Sequence, residues 1–93
     1  MTNPTAPSDL YLQLQDQLGE IRDLVRKVVD TTAEYRLHEP ETLEVDTLGD
    51  PTTGPEALAA VLRGLKLVDQ ALDATDTAYR NVLADAGRLY VKE

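Results

Sequence analysis

The chain has no cysteine, tryptophan or phenylalanine, and only one histidine and one methionine among its 93 residues. Without cysteine there are no disulfides, no thiolate metal sites and no cysteine nucleophile. No apolar run approaches the roughly 20 residues needed to cross a bilayer. The opening MTNPTAP lacks the basic start and apolar core of a signal peptide. A soluble, cytoplasmic protein is expected. There is no glycine-rich phosphate loop and no histidine-rich metal spacing, and the single serine, Ser8, stands where a helix cap is expected. The length suits one small domain, near the size at which a single core is only marginally stable, so oligomerisation is expected.

Bases are missing from one region. Residues 1–38 carry six acids and four bases, residues 57–93 five of each, and residues 39–56 six acids and no base, giving regional charges of −2, 0 and −6. The net charge of −8 is therefore concentrated in the middle of the chain. No basic stripe is available to track phosphates, which argues against direct binding of nucleic acid or an anionic membrane. The expected partners are proteins, basic or neutral.

What the chain does have is periodicity. Tyr11, Leu14, Leu18, Ile21, Val25, Val28, Thr32 and Tyr35 alternate steps of three and four, as do Leu58, Val61, Leu65, Val68, Leu72, Thr75, Tyr79, Val82, Ala86 and Leu89. This spacing keeps one stripe facing one partner along a long helix. The pattern predicts an all-α fold of two long antiparallel helices, a coiled-coil-like hairpin that completes a four-helix bundle by dimerising or docking on a partner. Residues 1–8 read as a flexible tail, 9–38 as the first helix, 39–53 as an acidic linker and 54–91 as the second helix, with Gly87 as a possible earlier stop. Ser8 is the expected first cap, and Pro40 ends the first helix by disfavouring helical backbone at Glu39. Thr53 and Glu56 have capping-box spacing at the start of the second helix. Aligning the stripes places Val28 near Leu65, Val25 near Val68 and Ile21 near Leu72, with Arg22 opposite Asp69 and Val29 opposite Leu62.

The second helix carries more apolar surface than one partner can cover. Ala57, Ala60, Gly64, Leu67, Ala71, Ala74 and Ala78 form another run of three-four spacing, built mainly of small side chains that permit close helix approach. Leu24 and Leu10, and Leu12 beside them, are the matching apolar positions of the first helix. The interface expected from this pattern comprises Leu24, Ala60, Gly64, Leu67, Ala71, Ala74 and Ala78. The linker threads Leu43, Val45 and Leu48 through Glu41, Glu44, Asp46 and Asp50, an alternation that a mere spacer does not need. It is expected to order against the helix ends or a partner.

Two acid pairs, Glu41 with Glu44 and Asp73 with Asp76, resemble the paired-carboxylate motifs of the all-α MazG-type nucleotide pyrophosphohydrolases. The resemblance implies magnesium held by these four carboxylates and nucleotide hydrolysis. The chain departs from that pattern because the first pair follows Pro40 in a loop and no lysine or asparagine constellation for phosphate lies nearby. Tyr35 and Glu39 match a Tyr-x-x-x-Glu spacing found in small secreted hairpins, but the Trp-x-Gly of their turn is missing. His38 falls at a helix C-terminus, where its cationic form is favoured by the helix dipole. The sequence thus reads as a non-enzymatic interaction, adaptor or assembly protein without catalytic residues, metal or cofactor, a homodimer or a subunit of a larger assembly. The alternative is a small acidic inhibitor of a basic site on a target protein.

Overall fold

The computed structural model describes residues 3–92; residues 1 and 2 of the expected tail lie outside that range. Two long helices, α1 (Pro7–Arg36) and α2 (Gly54–Ala86), pack along each other as a helical hairpin, with a short 3-10 turn at Pro40–Thr42 between them. No strand occurs among the described residues. The hairpin is antiparallel: Tyr79 near the end of α2 donates its hydroxyl to Gln17 near the start of α1 at 3.1 Å, while Tyr35 and Leu58 share a groove at the other end. No described helix is long and apolar enough to cross a membrane.

Local chemistry sets the helix ends. α1 starts at Pro7, one residue before the expected Ser8 cap, and Ala6 occupies the cap position without any side-chain hydrogen bond. Proline suits this start because its fixed φ is already helical and its missing N–H would have had no partner. Past Arg36 the chain tightens, Leu37 N–H donating to Glu34 and His38 N–H to Tyr35. Glu39 before Pro40 is then extended at φ −74° and ψ 121°. At α2 the expected Thr53 cap is present, its hydroxyl accepting from Glu56 N–H at 3.2 Å. The Glu56 carboxylate does not reach back to Thr53 in a reciprocal box. It accepts instead from the Thr52 hydroxyl at 3.3 Å. α2 stops at Ala86 rather than 91, with Gly87 N–H closing the last turn onto Leu83 at 2.9 Å.

The α1 stripe faces α2 as expected: Leu18 is buried, and Tyr11, Leu14, Ile21, Val25, Val28 and Thr32 are half-buried, with only Tyr35 more exposed. α2 differs. Leu58 is buried and Leu62, Leu65, Leu72, Asp76, Tyr79, Leu83 and Ala86 are half-buried, whereas Val61, Val68 and Val82 of the expected seam stand outside it at 37%, 43% and 47% exposure. The column Leu58, Leu65, Leu72, Tyr79 can be flanked on one side by valines three residues on and on the other by Leu62 and Leu83 four residues on. The leucines win because they bury more apolar area against α1. That rotation of α2 about its axis turns the valines toward the small-residue run.

The result is a thin rod, 67 × 28 × 15 Å, with a radius of gyration of 20.5 Å. A compact domain of this length would have about 12 Å. Leu18 and Leu58 are the only buried hydrophobic side chains among the described residues.

Candidate interaction face

The α-helical period of 3.6 residues lays the outward side of α2 in three adjacent columns. Next to the seam run Val61, Val68, Thr75 and Val82; then Ala57, Gly64, Ala71 and Ala78; then Ala60, Leu67 and Ala74. None is charged. On the same side of the hairpin α1 presents Leu10, Gln17, Leu24 and Thr31, and His38 follows just past its end. Two grooves show the alignment directly. One of about 380 Å³ is lined by Leu14, Gln17, Ala74, Thr75, Ala78, Tyr79 and Val82, and another by Tyr35, His38, Leu43, Glu44, Gly54, Ala57, Leu58 and Val61, the connector's Glu44 being its acidic member. From Ala57 to Val82 the face runs about 37 Å at 1.5 Å per residue.

Leu24, Ala60, Gly64, Leu67, Ala71, Ala74 and Ala78 all fall on this one face. Gly64 is half-buried and the others are exposed, Leu67 at 65%. Leu12, by contrast, sits on the other flank of α1. Val61, Val68 and Val82 are further members of the face that sequence reasoning assigned to the seam. The competing pair Leu62 and Leu83 marks the ambiguity in the sequence, but spacing alone does not resolve it.

The opposite side of the hairpin is polar. Its grooves are lined by Arg22, Asp69, Gln70, Asp73 and Asp76, and by Val29, Arg36, Leu62 and Lys66. Here Asp76 accepts from Arg22 Nε at 2.8 Å and is ion-paired with Arg80 Nε at 2.9 Å. The hydrogen bond from Arg22 is the main reason the Asp76 carboxyl is held below the usual carboxylate range, with the Coulombic attraction of Arg22 and Arg80 in support and partial desolvation opposing. The same bond raises the Arg22 guanidinium above its ordinary value. Arg22 therefore pairs with Asp76 rather than with Asp69, although all three line one groove. Val28 with Leu65 and Val29 with Leu62 do share a groove, as expected.

The connector is only partly tied down. Leu43 is half-buried against the start of α2, where its carbonyl lies so close to Gly54 that a Cβ there would stand 1.9 Å from the oxygen. Gly54 is buried and accepts no side chain in this arrangement. Beyond it Val45 is 37% exposed and Leu48 is 91% exposed, so Leu43 alone of the three lies on the helix ends. Glu41, Glu44, Asp46 and Asp50 are all exposed.

The four carboxylates of the MazG-type pattern are not brought together. Glu41 and Glu44 lie beside the first turn of α2. Asp73 and Asp76 are about 30 Å further along that helix. Among the described residues no group of three or more histidine, cysteine or acidic side chains is arranged to hold a metal ion. No family model, curated protein or solved structure matches the chain.

Proposed function

We propose that the protein is a non-enzymatic helical assembly protein that acts through the uncharged face of α2 and the α1 positions beside it, with the acidic connector as a second contact region. One observation carries this reading. A face about 37 Å long contains no charge from Ala57 to Val82, although 28% of the chain is charged, and it lies uncovered on a hairpin with two buried hydrophobic side chains. Uncovered apolar strips of this extent on small helical proteins mark contact surfaces. Alanine and glycine there let a helix approach closely, and Leu10, Leu24, Leu67 and Val68 supply area to bury.

The test is a pair of charge insertions and a control. Ala71→Arg or Ala74→Arg forces a long cation into a close helix contact and should dissolve whatever assembly the protein forms. Gln70→Arg, on the polar side, should leave it intact. Assembly that is indifferent to Ala71→Arg and Ala74→Arg would count against the face. Binding that instead collapses with added salt would favour an acidic plug for a basic site, read from the −5 of the connector.

A further inference from the structure

The interaction reading leaves the occupant of the face open, and the inference here rests on that reading. The chain exposes 7793 Å². A compact monomer of 10.2 kDa exposes about 5,300 Å² by the usual scaling with mass, so the excess is about 2,500 Å², shared among the open helix faces, the connector and the chain ends. A standard interface takes about 800 Å² from each partner, and obligate dimers take more. Two more helices laid on the open face would convert a two-layer rod into a four-helix bundle with an enclosed core.

The face suits a copy of itself. A two-fold interface brings the same patch together from both sides, so projecting groups must meet recesses of their own kind. Leu67 projects near the middle of the strip, and Gly64, Ala71 and Ala74 leave room on either side of it. Although the chain carries −8 overall, none of that charge lies on the strip, so pairing sets no like charges opposite one another there. The charge distribution also selects an orientation. Parallel copies would place two −5 connectors at one end. Antiparallel copies would place each connector beside the far end of the other hairpin, where Arg80, Arg88 and Lys92 are matched by Asp9, Asp16 and Asp85 and no excess of acids accumulates.

We infer that the occupant is a second copy of this chain, packed antiparallel about a two-fold axis near Leu67 and Ala71, with each acidic connector lying toward the Arg88 and Lys92 end of its partner. The absence of cysteine allows a direct test, because Leu48→Cys at a 91% exposed position introduces the sole thiol for a nitroxide label. Pulsed dipolar spectroscopy on the full chain should give a label-to-label distance of about 50–65 Å, set by the helical rise on both sides of the axis. The same label with Ala71→Arg should give no dipolar signal. A short distance, both labels at one end, overturns the antiparallel copy; if Ala71→Arg abolishes that signal too, the interaction face itself survives. A signal unchanged by Ala71→Arg overturns the face as well. Absence of any dipolar signal from the otherwise unaltered chain overturns the second copy as occupant.

Discussion

Arg22 of α1 and Asp76 of α2 are joined across the hairpin at 2.8 Å, and Arg80 closes on the other carboxylate oxygen at 2.9 Å, so one acid is held by a cation from each helix. The pairing follows from the direction of helical side chains. Each Cα–Cβ bond tilts toward the N-terminus of its own helix, so in an antiparallel pair the two side chains lean toward each other along the axis. Arg22 thus reaches a residue seven positions beyond the Asp69 that matching apolar stripes suggested.

Removing this acid should change the response to pH. Because the folded Asp76 carboxyl lies below its ordinary value, the stability it contributes is present above about pH 4 and is lost as pH falls through the folded value. Thermal unfolding of Asp76→Asn should therefore differ from that of the unaltered protein near neutrality and converge with it on acidification. Added salt should narrow the neutral difference in the same way, since the Arg22 side of the pair is exposed. A difference that persists at low pH would assign the effect to packing instead.

Gly54→Ala should be costly despite the good helix propensity of alanine. Its Cβ would stand 1.9 Å from the Leu43 carbonyl oxygen, so the start of the connector must move off α2. We expect a loss of about 1–3 kcal/mol, the usual range for overpacking. Amide hydrogen exchange should accelerate at residues 41–44 with little change in the centre of either helix. Unchanged exchange there would mean that Leu43 is not held against α2.

Two other glycines provide a sharper comparison. At both Gly19 and Gly64 an added Cβ meets nothing within 4 Å in the single chain, but Gly19 faces away from the apolar strip and Gly64 lies within it. Gly19→Ala should stabilise α1 by about 0.4–1 kcal/mol. If a helix packs closely on the strip, Gly64→Ala should gain less or lose stability in denaturant titrations. Equal gains at the two sites would indicate an uncovered strip.

Most of the architecture was legible in the residues themselves. The α1 seam follows from its three-four spacing, the end of α1 from Pro40, and the start of α2 from Thr53 and Glu56. The positions from Ala60 to Ala78, proposed as an interface, do share one face, because helical periodicity alone determines which residues share a side. The rotation of α2 was not legible. Its central column has apolar neighbours on both sides, so local spacing does not choose between Leu62 and Leu83 on one side and Val61, Val68 and Val82 on the other. That choice depends on bulk at the contact with α1, a tertiary property. The end of α2 at Ala86 was likewise ambiguous, since Gly87 interrupts a pattern that Leu89 continues. Leu48 belonged to a credible alternation, yet it is 91% exposed because the chain turns outward after Leu43.

Light scattering coupled to size-exclusion chromatography tests the central claim most directly, by giving the mass of the particle that carries the apolar strip. The unaltered chain should elute with twice its 10.2 kDa mass, and Ala71→Arg should return it to 10.2 kDa while Gln70→Arg does not. A mass of 10.2 kDa for the unaltered chain at every concentration, with Ala71→Arg indistinguishable from it, would contradict the account.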